Sequence, residues 1–249
     1  RPPTSTLFPY TTLFRSPSNV QIYNYTPTEI VELAKEKKLL SISYTYTEPL
    51  VSYEYTYDTA IIARENGIKN ILVTAGYINE EPLIELLPFI DAANIDIKSF
   101  DQKIYTEINQ AKLSTILNTI LVFKKYNIWI ELTYLLIPNI NDKEKMIDDF
   151  ASWLINNNLQ RVPIHISRFF PSFKLNHIPN TSQASIEYVV NFLKNRGIFY
   201  VYSGNLYSNI NENTYCPNCN RIIINRLGYT IKEFNIVHNK CKFCNSNID

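Results

Sequence analysis

The sequence predicts an α/β protein: a partial TIM-like (β/α)6 barrel followed by a small cysteine-rich module. From Tyr25 onward, six strand-like segments are separated by helical segments, a pattern typical of parallel strands joined by right-handed helical crossovers. Four of those strands are polar on one face, so a closed or partly closed barrel is favoured over a doubly wound sheet, the second choice. All four cysteines lie in the last 34 residues, after the last predicted strand.

The individual elements follow from local signals. Thr26 and Glu29 form a predicted capping box with Pro27 between them, which opens the first helix. Gly67 and Gly197 follow helical segments, where a left-handed glycine commonly ends a helix. The predicted strands are 41–45, 71–74, 93–98, 129–137, 163–168 and 199–202. The predicted helices are 27–37, 51–66, 81–87, 101–107, 114–126, a helix capped by 141–144 and ending near 156, and 182–196.

Composition excludes several classes of protein. The chain has 249 residues, of which 45% are hydrophobic and 19% charged, so it can bury a core and is not disordered by composition. With 24 basic and 23 acidic residues the formal charge is +1, which argues against a nucleic-acid partner bound over a broad surface. No apolar run approaches the roughly 20 residues that span a bilayer. We therefore expect a cytoplasmic protein without a membrane partner.

The first residues differ in character from the rest. Residues 6–16 read TLFPYTTLFRS, which resembles the translation of a common short-read sequencing adapter. We therefore expect residues 1–16 to be artefactual and the native N-terminus to be missing. The predicted domains are then the barrel over 17–205 and the four-cysteine module over 212–249.

The polar strand faces predict where a ligand binds. Residues two apart on a strand share a face, so Asn94, Asp96 and Lys98 point together, as do Glu131 and Thr133. One interpretation is an internal salt-bridge network, for example Asp96–Lys98–Glu131. The favoured interpretation is a wide lumen that holds a polar, charged ligand, because unpartnered buried charges would each cost several kcal/mol. Residues well placed near the C-terminal strand ends, where such folds bind ligands, are Thr47, Glu48, Thr74, Gly76, Lys98 and Arg168.

Six segments in order carry a resemblance to a known family. They are Tyr44–Pro49 (YTYTEP), Val73–Tyr77 (VTAGY), Asn94–Lys98 (NIDIK), Leu136–Asp142 (LIPNIND), His165–Phe169 (HISRF) and Asn213–Cys219 (NTYCPNC). Together they resemble the radical SAM enzyme of the AmmeMemoRadiSam system, a relative of pyruvate formate-lyase activating enzymes. The resemblance covers about Tyr25 to Asn245 and implies a radical SAM barrel.

The resemblance also implies a chemistry. In that family a C-x3-C-x2-C loop binds a [4Fe-4S] cluster whose fourth iron is chelated by S-adenosylmethionine (SAM). Reductive cleavage of SAM yields a 5′-deoxyadenosyl radical that abstracts hydrogen from a substrate, here a protein or a small molecule, with flavodoxin or ferredoxin as electron donor. This sequence has no C-x3-C-x2-C. We expect that truncation removed the loop and that the chain as given is inactive.

The resemblance assigns roles residue by residue, although each position alone is equally compatible with a plain structural role. Glu48 matches the acidic residue that accepts the methionine ammonium, and Thr47 lines the same loop. Thr74 and Gly76 match the next strand end, and Asp96 and Lys98 match the pair beside the cofactor. The remaining lumen or rim candidates are Glu131, Thr133 and Arg168. No catalytic residue is identified.

The C-terminal cysteines predict a metal site. Cys216, Cys219, Cys241 and Cys244 are spaced C-x2-C-x21-C-x2-C, which is typical of a structural zinc ribbon. Asn220 and Asn245 stand where each knuckle turns left-handed, and Gly228 is expected to turn the hairpin between them. A rubredoxin-like iron or an iron–sulfur centre is the alternative. His238 is expected to be a surface residue rather than a ligand.

Two other functions remain open at this point. Lys98 at a strand end could form a Schiff base in a barrel enzyme, because a lysine in such a setting can lose its proton. Alternatively, the module is a nucleic-acid-binding ribbon, with Arg221, Arg226, Lys240 and Lys242 nearby.

Overall fold

The computed structural model describes residues 24–45, 48–206, 212–228 and 230–248. Residues 1–16 and Thr47 lie outside the described residues. No helix in these ranges combines the length and the apolar character that crossing a membrane requires.

Six parallel strands form the main sheet. They are β1 (Ser41–Tyr44), β2 (Lys69–Thr74), β3 (Ala92–Ile97), β4 (Trp129–Leu136), β5 (Ile164–Arg168) and β6 (Val201–Gly204). Their order in the sheet is β1-β2-β3-β4-β5-β6, the same as their order in the chain. In a doubly wound sheet the order of the strands reverses at a switch point, so it differs from their order in the chain. The sequential order therefore excludes the second-choice fold and confirms the six-stranded α/β architecture.

Helices connect successive strands. The α-helices are α1 (Pro27–Glu36), α2 (Tyr53–Glu65), α3 (Glu80–Leu86), α4 (Gln102–Ile104), α5 (Leu113–Lys125), α6 (Glu144–Asn156) and α7 (Gln183–Asn195). Short 3-10 turns cover Pro49–Ser52, Leu87–Phe89 and Phe173–Leu175, and a π-helix covers Tyr105–Asn109. The C-terminal strands are β7 (Thr214–Tyr215), β8 (Ile222–Leu227), β9 (Thr230–Phe234), β10 (Ile236–Val237) and β11 (Lys240–Cys241). Strands β7, β8 and β9 pair antiparallel, as do β10 and β11.

The predicted helix caps are confirmed at one helix and wrong at another. At α1, Glu29 receives a hydrogen bond from the Thr26 backbone N–H at 2.7 Å and donates its own N–H to the Thr26 hydroxyl. At α6 the N-cap is Lys143, which makes no side-chain capping bond. The Asn141 side chain, predicted to belong to the cap, is fully buried and instead bridges the Ile137 N–H and the Leu135 carbonyl.

Burial along β3 and β4 alternates with a period of two. In β3, Ile95 and Ile97 are fully buried, whereas Asn94 and Asp96 between them are half-buried. In β4, Leu132 and Tyr134 are buried and Glu131 and Thr133 are half-buried. In these two strands the fully buried face is apolar and the half-buried face carries the polar residues, as the alternation predicted.

The described residues divide into two compact units. The first contains the described residues up to Glu131 together with Pro171–Ile178, and the second contains Leu132–Phe170 and the described residues from Pro179 onward. In the first, Leu72, Ile95 and Phe123 are among the large buried side chains. In the second, Tyr134 packs on Phe150 with ring centroids 5.5 Å apart.

Candidate functional site

A buried carboxylate lies at the C-terminal end of β2, in the first unit. Glu48 is only 6% exposed and caps the 3-10 turn that follows β1, accepting a hydrogen bond from the Leu50 N–H at 3.2 Å. Its second oxygen accepts from the Ala75 N–H at 2.7 Å, and the Thr74 hydroxyl donates to the first. These three donors are uncharged, so they fix the carboxylate's orientation without neutralising its charge.

Gly76 follows directly and has a packing role. Its φ of +68° is a left-handed conformation, and its N–H donates to the Thr74 hydroxyl at 2.9 Å. A Cβ on Gly76 would lie 3.0 Å from Ile95 Cγ2 and 3.4 Å from Thr119 Cγ2. The glycine therefore allows the backbone to turn tightly over the apolar side chains and to present its N–H to Thr74.

The end of β3, beside β2 in the sheet, carries an ion pair. The Lys98 ammonium contacts the Asp96 carboxylate, and the two side chains are 17% and 29% exposed. Of the internal salt-bridge network, the interpretation that was not favoured, the structure shows the Asp96–Lys98 pair. Glu131 is half-buried on β4, where the Trp129 indole N–H lies 3.4 Å from its carboxylate. Lys98 therefore lies on the same face of the sheet as Asp96.

Two predicted residues lie in the second unit. Thr133 is half-buried on β4 and is in register with His165 of β5. Arg168 ends β5, and its Nε donates to the Thr181 carbonyl at 2.7 Å while its guanidinium lies 5.1 Å from the Phe170 ring centroid. Arg168 therefore holds the loop between β5 and α7, in addition to any contact it makes with a ligand.

Among the described residues, four cysteines have the geometry of a metal-ligand group. The sulfur atoms of Cys216, Cys219, Cys241 and Cys244 all lie within 4.8 Å of one another, and none is in a disulfide. Cys216 and Cys241 are buried against Ile223. Four soft sulfur ligands at this spacing can surround one tetrahedral metal ion completely, which leaves no position open for substrate.

The knuckles around these cysteines have the predicted shape. Asn220 and Asn245 have φ of 56° and 59°, and Gly228 has φ of 56° in the turn between β8 and β9. The Ser246 hydroxyl, 3.1 Å from the Cys244 sulfur, together with the Ser246 backbone N–H lowers the pKa of Cys244 to about 5. A thiolate is the form that binds metal.

The cysteine module is joined to β6 within the second unit. The Tyr202 hydroxyl lies 2.9 Å from the Thr214 hydroxyl. The Arg226 guanidinium donates to the Thr214 hydroxyl at 2.7 Å and lies 5.9 Å from the Tyr202 ring centroid. Tyr202 also stacks on His165 at 5.6 Å between centroids. A continuous set of contacts therefore runs from the module to the polar face of β5.

Some residues of these sites were not predicted. The Ala75 backbone N–H, the Tyr105 phenol and the Thr181 hydroxyl all contact strand ends, yet none belongs to a polar pattern in the sequence. For Tyr105 the sequence signal is weak: a tyrosine seven residues after Lys98, beyond the polar alternation of the strand.

The sequence and the fold of the chain are similar to those of known proteins. The family model described as the Radical SAM superfamily matches residues 8–151. An uncharacterized protein of Methanocaldococcus jannaschii is 43% identical over 238 residues, which cover 94% of this chain and 70% of that protein. The 4-hydroxyphenylacetate decarboxylase activating enzyme of Clostridium scatologenes is 26% identical over 49% of this chain, and the match spans only 39% of that enzyme. A domain of a pyruvate-formate lyase-activating enzyme from Bacteroides vulgatus shares the fold, with a TM-score of 0.57 and 20% identity over 66% of this chain and 98% of that domain.

Proposed function

Since the chain belongs to the radical SAM superfamily, we propose that it is the SAM-binding part of an enzyme that cleaves SAM reductively at a [4Fe-4S] cluster. The observation that carries this proposal is the buried Glu48 carboxylate, held in place by Thr74 and Ala75. The family membership implies SAM and an iron–sulfur cluster as cofactors. The cleavage reaction and the identity of the cluster are our proposal.

The charges of the first unit fit SAM. The cofactor carries two positive groups, the ammonium and the sulfonium, and one carboxylate. Glu48 and Asp96 supply two negative charges and Lys98 one positive charge, at the ends of neighbouring strands. A carboxylate and an ammonium in partly buried positions recognise opposite charges strongly. Glu48 would accept the cofactor's ammonium, and the Asp96–Lys98 pair would flank the rest of it.

This chain does not contain the cysteine ligands that the [4Fe-4S] cluster needs. The four cysteines all belong to the C-terminal group, and none has the C-x3-C-x2-C spacing. We therefore assign cluster chemistry to this chain only in combination with a cluster-binding segment that its own residues do not supply. The chain alone is expected to bind SAM without cleaving it.

The experiment is SAM binding measured by isothermal titration calorimetry on the 249-residue chain. Glu48→Gln removes the charge and should weaken binding at least tenfold. Glu29→Gln changes an exposed, hydrogen-bonded carboxylate of the same unit and should leave binding unchanged. No SAM binding by the folded chain, or equal affinities for the two variants, would contradict the proposal.

A second experiment addresses the cleavage itself. The chain is joined at its N-terminus to a segment that carries C-x3-C-x2-C, reconstituted anaerobically with iron and sulfide, and reduced. We expect 5′-deoxyadenosine to form. We further propose, from the six motifs described above, that the enzyme is of the AmmeMemoRadiSam type, receives its electrons from flavodoxin or ferredoxin, and acts on a protein or a small molecule.

We also propose that the four-cysteine group binds zinc structurally and that the protein is cytoplasmic, where thiolates stay reduced. Metal analysis of the purified chain should give one zinc per chain and no iron absorption. His238→Ala should retain the metal, because His238 is exposed and four sulfurs already complete the coordination. One iron per chain would replace this proposal with a rubredoxin-like site.

The Schiff-base alternative gains no support from the structure. The Lys98 side chain is engaged in an ion pair with the Asp96 carboxylate, and no described contact prepares it to attack a carbonyl carbon.

A further inference from the structure

We propose that Tyr105 is a positioning residue of the SAM site, because its phenol oxygen fixes the backbone from which the Lys98 side chain projects. The inference rests on the proposed function, since it gives Tyr105 a role in SAM binding. Tyr105 lies outside all six sequence motifs that indicated the family.

The contact that carries the inference is buried. The Tyr105 side chain is in the core, with the residue only 2% exposed, and its phenol oxygen accepts a hydrogen bond from the Lys98 backbone N–H at 3.0 Å. The backbone N–H of the next residue, Ser99, also bonds to this oxygen, and Ser99 is fully buried. One oxygen therefore holds two consecutive amides immediately after β3.

Those two amides decide where the Lys98 side chain points. The assigned strand ends at Ile97, and Lys98 stays on the same face as Asp96 only if the backbone remains extended for one further residue. The hydrogen bond to Tyr105 anchors the Lys98 amide in that position. The Lys98 ammonium consequently meets the Asp96 carboxylate on the face of β3 that carries its polar residues.

The local helix geometry fixes Tyr105 in turn. Asp101 caps the short α4 by accepting from the Ile104 N–H at 3.0 Å, and a π-helix then begins at Tyr105. The Tyr105 carbonyl accepts from the Ala111 N–H at 3.0 Å, and Gln110 ends the turn with φ of 52°. Single π-turns are rare and frequently lie at functional sites. Here the turn directs a phenol at the strand end.

The Tyr105 phenol also stays uncharged. Burial raises the pKa of Tyr105, and the neighbouring Asp96 charge acts in the same direction. The phenol is therefore neutral at any physiological pH. A neutral oxygen can hold the two amides without competing with Asp96 for the Lys98 ammonium.

The test compares two buried tyrosines of the same unit. Tyr105→Phe removes the acceptor oxygen and keeps the ring, and Tyr44→Phe is the matched control because its phenol donates to Asn70 at 2.8 Å. We expect similar losses of thermal stability for both. SAM affinity, measured by calorimetry, should fall three- to tenfold in Tyr105→Phe and less than twofold in Tyr44→Phe.

A double-mutant cycle separates positioning from a general structural effect. In a Lys98→Met background, Tyr105→Phe should cause no further loss of SAM affinity, because the side chain that it positions is already gone. An equal additional loss in that background would overturn the inference. The inference would also be overturned if the folded Tyr105→Phe protein kept wild-type SAM affinity while the Lys98→Met protein bound SAM poorly.

Failure of the underlying function gives a different result. If neither Glu48→Gln nor Lys98→Met changes SAM affinity, the site itself is wrong.

A further measurement on the unmodified chain does not depend on the variants folding. Hydrogen exchange should show the Lys98 and Ser99 amides protected like strand amides, and exchange at the rate of an open loop would refute the contact.

Discussion

Asn70 makes a hydrogen-bonded junction whose loss should destabilise the first unit. It is fully buried on β2; its Oδ1 accepts from the Tyr44 hydroxyl at 2.8 Å, and its Nδ2 donates to the Ala60 and Phe89 carbonyls at 2.8 and 2.9 Å. Asn70→Ala leaves three groups without this partner, the Tyr44 hydroxyl and the Ala60 carbonyl in buried positions and the Phe89 carbonyl in a part-buried one. At about 1 kcal/mol each, the low end for a buried group, the free energy of unfolding should fall by about 3 kcal/mol.

The assay is urea unfolding followed by circular dichroism. With a denaturant dependence of about 3 kcal/mol per molar urea, the midpoint should fall by about 1 M. Asn66→Ala is the control, because Asn66 makes the same kinds of bonds, to Ile62 and Lys35, at an exposed position. Its loss should be within about 0.5 kcal/mol.

A third variant tests the reasoning about donors. Asn70→Asp has the same shape and can still accept from Tyr44, but a carboxylate cannot donate to the two carbonyls. It should be at least as unstable as Asn70→Ala at neutral pH. Equal midpoints for Asn70→Ala and Asn66→Ala would refute the claim that burial decides the cost.

Three further predictions concern other contacts. Partial burial opposes ionisation of Asp91, yet Lys69 at 2.7 Å and a backbone N–H hold its pKa below the usual value. The stability that this pair contributes is present above about pH 4 and is lost as the pH falls through the lowered pKa of Asp91. The Asp91→Asn variant lacks this contribution. Its urea midpoint should therefore fall less between pH 7 and pH 3 than the urea midpoint of the wild type. Cys241→Ser should abolish the zinc binding that we propose for the four-cysteine group, measured as zinc per chain after gel filtration. Gly76→Ala should lower the unfolding temperature more than Gly228→Ala, because both have positive φ but only Gly76 has a side chain within 3.0 Å of the added methyl.

The strands could be predicted because their signals are local. Each predicted strand overlaps an observed one, and in β3 the alternation of Ile95 and Ile97 with polar neighbours identified the face that carries Asp96. Positive φ at Asn220 and Asn245 was likewise predictable, because few residues with a side chain tolerate that conformation.

Contacts over long sequence separations could not be predicted. Asn141 looks like a helix cap in the sequence, but the turn after β4 offers its side chain two buried backbone partners instead. The carboxylate of Glu48 was predicted as a ligand group, but not that the Ala75 N–H, 27 residues later, would orient it. The period of apolar residues predicts which face of a strand is buried, and the spacing of cysteines predicts the metal-binding turns. The contacts of Asn141 and Glu48 depend instead on the conformation of the loops after the strands.

The bond between Tyr202 and Thr214 has a practical consequence for dissecting the protein. A shortened chain that stops near residue 205 would keep all six sheet strands but lose the Thr214 hydroxyl and the Arg226 guanidinium, which contact Tyr202. The Tyr202 ring would keep its stacking contact with His165 but would be newly exposed where these two groups now lie. Newly exposed aromatic surface favours self-association. Expression trials that seek an autonomous sheet fragment should therefore retain the cysteine module, and the yield of soluble protein should track its metal content.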